Sequence, residues 1–170
     1  EVIQDAIEAL QAKREASENA RTKAAMGVHG DALRAHPMTP VSGNTSGDVT
    51  VVEFFDYRCP YCTVSNEWIQ SVLEEHGDQV RFIFKEFPIR GEQSTNAARA
   101  SLAVWRVAPE SYEAFHNAVM NASGPLPDER IDAFAVTAGV DVAAMRAEME
   151  SEEITRQLAD VRQLAQSIGI

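Results

Sequence analysis

The sequence predicts an α/β fold built around one parallel β–α–β unit, and three observations predict it. Residues 49–56, VTVVEFFD, form an almost unbroken apolar run with β-branched and aromatic members. That is the pattern of a strand buried on both faces, as in a parallel sheet. Residues 80–87, VRFIFKEF, repeat the pattern and end at Pro88. Between them, Cys62 to His76 carries Ile69, Val72 and Leu73 inward and stops at Gly77, as a helix does. Strand, helix and strand of these lengths make a unit whose crossover is right-handed.

The other elements follow in chain order. Residues 1–25 are rich in Ala, Glu, Gln and Lys and predict a leading helix. Ile3, Ile7 and Leu10 fall at i, i+4 and i+7, but the stripe fades at Arg14, Ser17 and Arg21, too weak a pattern for a coiled coil. Gly27 and Gly30 are expected to interrupt this helix, a short helix follows near Asp31–Ala35, and Pro37 stops it. Residues 36–48 hold the Pro, Gly, Ser and Asn of a loop, with Val41 as the start of a short edge strand. After the β–α–β unit the pattern is helical at 92–107, 110–121, 127–138, 141–149 and 151–168, with SGPLP at 123–127 as a turn. The last helix has Ser151 as its N-cap and Glu152 and Glu153 in its first turn. Ile154, Leu158, Val161, Ala165 and Ile168 mark its buried face. Two convincing strands are a thin platform for five helices.

Composition narrows the function. The chain has 170 residues, 45% of them hydrophobic, which suits one domain with a packed core. Its formal charge is -11 and no Lys/Arg cluster interrupts it, so a nucleic-acid-binding face is excluded. About half of the acidic excess lies at 128–162, with nine acids and four arginines, and reads as a solvated surface. No apolar run reaches membrane-spanning length. No signal peptide is visible and the chain begins at Glu1, so it reads as a mature or trimmed form.

The two cysteines lie together in VVEFFDYRCPYC, residues 51–62. A bridge between them closes a very small loop and stabilises little, so crosslinking is a poor reason for the pair. Cys59 sits where the strand hands over to the helix, and Pro60 suits the first helical position because it has no N–H to leave unpaired. Cys59 is then the N-cap, where unpaired N–H groups and the helix dipole favour thiolate over thiol. A thiolate attacks disulfide sulfur, which makes Cys59 the nucleophile. Cys62, three residues on and one turn inward, is placed to resolve the mixed disulfide. Zinc is disfavoured, since it wants four ligands and His29, His36, His76 and His116 show no ligand spacing. Two inert buried cysteines would not account for the proline between them.

Glu53 is the one carboxylate inside the apolar strand, six residues before Cys59. It is either a solvated edge residue or a proton acceptor near Cys62, whose thiol must ionise before it resolves the mixed disulfide. Lys85, in the next strand, is either a surface lysine or faces Glu53. His76 suits the C-terminal end of its helix, and His116 reads as a packing residue. Asp56, Tyr57 and Arg58 flank the motif, to solvate the loop or tune the cysteines. Trp68 and Trp105 read as core.

EFFDYRCPYC, followed by VRFIFKEFPI and a helical insertion, resembles the DsbA-like branch of the thioredoxin superfamily. The likeness is greatest to bacterial members labelled outer-membrane or suppressor-of-copper-sensitivity thiol-disulfide oxidoreductases. It covers about residues 40–170, and the leading helix is similar too. Strand, C-P-Y-C and second strand are specific together; C-P-Y-C alone is shared with glutaredoxins. The resemblance implies a thioredoxin-like domain over 37–170 with a helical insertion at about 92–168. It also implies that residues 1–36 form an N-terminal helical arm of the kind that joins protomers in some relatives, giving a homo-oligomer. The implied activity is that of a periplasmic or otherwise exported enzyme that makes, reduces or reshuffles disulfides in exported proteins. Its redox group is the Cys59–Cys62 disulfide, with no metal or flavin, and a membrane redox partner serves it.

By the same resemblance Cys59 matches the nucleophile, Cys62 the resolving cysteine, Glu53 the buried acid and Lys85 its accompanying lysine. Of the two residues between the cysteines, Pro60 starts the helix. Tyr61 lends no positive charge to the thiolate as a histidine would, so a less extreme oxidant is expected. One departure stands out. The family continues with a cis-proline, two strands and a helix, whereas this sequence stops at LAQSIGI and none of its seven prolines fits the cis position. The resemblance therefore implies a C-terminally truncated form whose last strands and cis-Pro loop are missing, with a strand edge left open. Two other readings remain: a glutaredoxin-like reductase, against which the long helical insertion argues, and a non-catalytic binding or oligomerising module with incidental cysteines.

Overall fold

A computed structural model describes residues 2–34 and 38–170. Three strands form one sheet: β1 (Val41–Gly43), β2 (Val49–Phe55) and β3 (Val80–Glu86), in the order β1-β3-β2. Helix α3 (Pro60–His76) joins the parallel pair β2 and β3, as the sequence predicts. The register runs from Val49 opposite Val80 to Phe55 opposite Glu86, and β1 pairs antiparallel to β3 with Val41 opposite Ile83. The expected edge strand at Val41 is thus present.

The two apolar runs differ in burial more than their sequences suggest. β3 lies between two neighbours, and Val80 and Phe82–Glu86 are buried. β2 pairs on one side only among the described residues, and Thr50–Phe54 are half-buried rather than enclosed on both faces. A strand's burial depends on its place in the sheet, which its own residues do not encode.

Side chains alternate across the sheet. Phe82 and Phe84 join Phe55 in the main core, with Ile69 of α3, Ala97 and Leu102 of α4 (Glu92–Val107), and Tyr112 and Phe115 of α5 (Tyr112–Met120). Helices α6 (Asp128–Thr137) and α7 (Val142–Met149) add Ile131 and Met145 to it. Outside that cluster Leu33 of α2 (Gly30–Arg34) and Val161, Ala165 and Ile168 of α8 (Glu152–Ile168) are buried, with Ile83 of β3.

The helix ends are local and mostly as predicted. Ser151 caps α8, its Oγ accepting from Ile154 N at 3.3 Å, and Gly169 closes it at φ 86°, a left-handed conformation that favours glycine. A short 3₁₀ turn at Pro109–Ser111 delays α5 to Tyr112. Leader helix α1 spans Val2–Val28, running through Gly27 rather than breaking there. Its apolar stripe is exposed, with Ile3 at 77%, Ile7 at 50% and Leu10 at 58%. The predicted stop at Pro37 and the residues Ala35 and His36 lie outside the described residues. Trp105 packs against Tyr112, but Trp68, expected in the core, is 54% exposed on α3. Its ring still meets Phe82 of β3 edge-on, with centroids 6.0 Å apart.

Candidate active site

The site is built on the chain between β2 and α3. Asp56, the residue after β2, is buried and accepts four hydrogen bonds. Its Oδ1 receives Arg58 N at 2.8 Å and Ser94 Oγ at 2.7 Å; its Oδ2 receives Ile89 N at 2.7 Å and Arg90 N at 2.9 Å. One carboxylate thereby ties the cysteine loop to the loop after β3 and to α4. Arg58 Nη1 adds a bond to Arg90 O at 3.2 Å. The sequence reading had Asp56 solvating or tuning a loop; its bond to the N–H two residues on is the signal of an Asx turn.

Cys59 is the N-cap of α3 in extended conformation (φ -90°, ψ 115°), and Pro60 is the first helical residue. Its carbonyl accepts from Cys62 N at 3.0 Å and Thr63 N at 3.3 Å, which starts the helix. The sulfur closes no cap bond of regular geometry, but the N–H groups of Tyr61 and Cys62 face it. Burial pushes this thiol up. The Cys62 N–H and thiol, the Tyr61 N–H and the Arg90 charge outweigh burial and hold it below its ordinary 9.0. Cys62 goes the other way. Burial, against the opposing Asp56 N–H and helped by Cys59 and Glu53, pushes it up to about 12. Both cysteines are free thiols. One turn of helix therefore carries one thiol made acidic and one kept protonated. Tyr61 points outward at 84% exposure and Pro60 is exposed.

Glu53 and Cys62 are brought together, since the Glu53 charge acts on the Cys62 thiol. Glu53 is half-buried, its Oε2 has no hydrogen-bond partner among the described residues, and burial raises its carboxyl against a nearby Ser65. The expected facing of Lys85 and Glu53 does not occur. The register sets Glu53 opposite Phe84 and Lys85 opposite Phe54, so strand alternation sends the two side chains to opposite faces. Lys85 is not a surface lysine either. It is buried, its Nζ donates to Ala32 O at 3.2 Å and Thr39 Oγ1 at 3.3 Å, and burial lowers it to about 8.

A polar cluster missed in the sequence lies inside the core beside the motif. Tyr57 Oη donates to Ser101 Oγ at 2.7 Å and lies 2.8 Å from His116 Nδ1. His116 packs among Phe55, Phe84 and Tyr112, as a packing residue would, and burial pushes it down to about 3. Glu86, at the end of β3, is buried beside Tyr57 and Ser101, and neither of its oxygens has a hydrogen bond of ordinary geometry. Burial pushes its carboxyl well up. Like Glu53, it was legible only as an acid in an apolar strand.

Cys59 opens onto a cleft of about 480 Å³. Tyr57, Arg58, Pro60 and Thr63 line one side, and the loop from Asn121 to Pro125 lines the other. Among the described residues no group of three or more His, Cys, Asp or Glu could hold a metal ion. Among them, too, no helix is long and apolar enough to cross a membrane.

The sequence profile of the DSBA-like thioredoxin domain matches residues 50–170. Disulfide bond formation protein D of Bacillus subtilis is 41% identical over 93 residues, covering 51% of this chain but only 41% of that protein's length. A solved thioredoxin-like oxidoreductase from Silicibacter pomeroyi superposes with a TM-score of 0.74 at 42% identity, covering 80% of this chain and 77% of the other. The thiol-disulfide exchange protein alpha-DsbA2 from Wolbachia pipientis superposes with a TM-score of 0.84 at 27% identity, covering 91% and 82%.

Proposed function

The chain belongs to the family of DSBA-like thioredoxin domains, and on that premise we propose that it is a thiol-disulfide oxidoreductase with Cys59 as nucleophile and Cys62 as resolving thiol. The observation that carries this reading is geometric: Cys59 is the N-cap of α3 with Pro60 first in the helix, and Cys62 lies one turn on, both as free thiols. Burial pushes Cys62 up while the helix-end N–H groups and Arg90 hold Cys59 down. Starting from the oxidised pair, a substrate thiolate attacks the Cys59 sulfur. The Cys59–Cys62 bond breaks, Cys62 departs with the electron pair and takes up a proton, and a mixed disulfide joins Cys59 to the substrate. A second substrate thiolate then attacks the substrate sulfur of that bond. The substrate gains a disulfide and Cys59 leaves as its stabilised thiolate. That stabilisation favours handing the disulfide on. In reverse, Cys62 must first lose its proton, and Glu53 is the acceptor beside it.

The substrates are exported proteins bearing thiols or disulfides, because protein disulfides persist in oxidising compartments such as the periplasm. The dithiol left after each turnover must be reoxidised, which is the role of a membrane redox partner. Alkylation followed by mass spectrometry tests the core of the reading. Cys59 is expected to react near neutral pH while Cys62 stays unmodified, and mild oxidation is expected to protect both as one disulfide. Equal reactivity of the two thiols, with Cys59 titrating like a free cysteine, would sink it.

A second part of the reading concerns residues 1–36, which act as an arm joining copies of the chain. It rests on the exposed Ile3, Ile7 and Leu10 of α1, one stripe at i, i+4 and i+7. Light scattering at rising concentration is expected to show an oligomer, and Ile7→Glu with Leu10→Glu to reduce it to single chains. A particle of one chain at all concentrations refutes the arm.

A further inference from the structure

The cleft beside Cys59 has a fixed outer wall and a basic rim. Thr63 Oγ1 donates to Met120 O at 3.1 Å, anchoring α3 to the end of α5. Arg130 Nη1 donates to Ser123 O at 2.7 Å and Pro125 O at 2.9 Å, and Leu126 N donates to Gln93 Oε1 at 3.0 Å. The loop from Asn121 to Pro125 is therefore braced from α6 and α4. The cleft walls mix polar Thr63, Asn121 and Ser123 with apolar Pro60, Ala122 and Pro125.

Arg58 lines this cleft and is exposed. Arg90 stands behind it, its backbone held by Asp56 and by Arg58 itself, close enough for its charge to act on Cys59. Among the described residues neither guanidinium forms an ion pair, although acidic side chains number 26 against 15 basic ones. Asp56 takes the backbone N–H groups of both residues but neither guanidinium, so in so acidic a chain two unpaired arginine charges next to the nucleophile leave a local positive spot. The cleft volume is that of an ordinary ligand site and holds a few side chains of an extended segment.

We propose that this cleft receives the segment of the substrate chain next to its reacting cysteine, and that Arg58, backed by Arg90, selects for an acidic side chain there. The proposal rests on Cys59 being the nucleophile and deepens that reading by naming a substrate class. The chemistry is the exchange already written: the S–S bond to Cys59 forms as the Cys59–Cys62 bond breaks, with the acidic neighbour docked at Arg58 as a positioning contact.

The test uses three dithiol peptides that differ only in having Glu, Gln or Lys beside the first cysteine. Each rate of reduction of the oxidised protein is divided by the same peptide's rate with a small free disulfide, which removes the effect of the neighbour on the cysteine's own ionisation. The Glu peptide is expected to react about fivefold faster than the Lys peptide at low salt, the scale of an exposed charge pair. The preference is expected to shrink at high salt. Arg58→Glu is expected to reverse the order, and the exposed position of Arg58 keeps folding out of the result. Ser123→Trp, on the opposite wall, is expected to slow all three peptides more than it slows a small thiol. Equal rates for the three peptides, or an order unchanged by Arg58→Glu, overturn the inference and leave the nucleophile assignment standing. Failure of every peptide to form a mixed disulfide with Cys59 removes both.

Discussion

Cys59→Ser is expected to lower disulfide exchange by on the order of a thousandfold or more, and Cys62→Ser to do something different in kind. A serine hydroxyl at the N-cap cannot form a disulfide, so no mixed species arises in the first variant. In the second, Cys59 still attacks a substrate disulfide, but no neighbouring sulfur resolves the product. A covalent complex is therefore expected to accumulate, visible on a non-reducing gel and released by a small thiol. The asymmetry follows from the two positions: Cys59 is drawn below its ordinary value by the helix end and Arg90, whereas Cys62 is held protonated at about 12. Insulin reduction by Cys59→Ala at the rate of the unaltered chain would instead make the cysteines incidental and leave a binding or oligomerising module. Activity that requires glutathione would point to a glutaredoxin-like reductase.

The second large effect is on stability and comes from the polar cluster in the core. Burial raises the Glu86 carboxyl well above its ordinary 4.5, so the folded chain keeps a proton that the unfolded chain releases. That contribution is complete below pH 4.5 and is lost as pH rises toward the folded value. His116 runs the other way. Its ordinary 6.5 is lowered to about 3, so the unfolded chain takes up a proton that the folded chain refuses. That contribution is complete above pH 6.5 and is lost as pH falls toward 3. Each slope is up to about 1.4 kcal/mol per pH unit. Between pH 4.5 and 6.5 they oppose each other, and a plateau is expected, with decline on either side. Denaturant unfolding from pH 4 to 8 measures this directly. Glu86→Gln is expected to flatten the alkaline side and His116→Gln the acidic side. Glu53, whose carboxyl burial also raises, adds a smaller slope of the same sign as Glu86 and persists in both variants. If Glu86→Gln and the unaltered chain share one pH profile, the carboxyl is not neutral in the fold.

Much of the fold is legible in the sequence alone. The strand–helix–strand order, the five later helices, the Ser151 cap and the Gly169 stop depend on residues a few positions apart, and each appeared where its spacing put it. So did Cys59 as N-cap, because Pro60 specifies the first helical turn by itself. Where the reading went astray, long-range pairing was the cause. Glu53 and Lys85 looked like partners because both sit in neighbouring strands, but register decides which face each takes. Trp68 looked like core because tryptophan usually is.

By itself, then, the sequence determined the kind of chemistry: two thiols one turn apart at the start of a helix, on an α/β frame. Only the tertiary structure decided which polar groups surround them. Asp56 found its donors in Ile89, Arg90 and Ser94, and Glu86, Tyr57, Ser101 and His116 met from four separate segments. The physical reason is one of range. Helix ends and turns follow from hydrogen bonds between near neighbours in the chain, whereas the burial and partners of a polar side chain are set by packing between segments tens of residues apart.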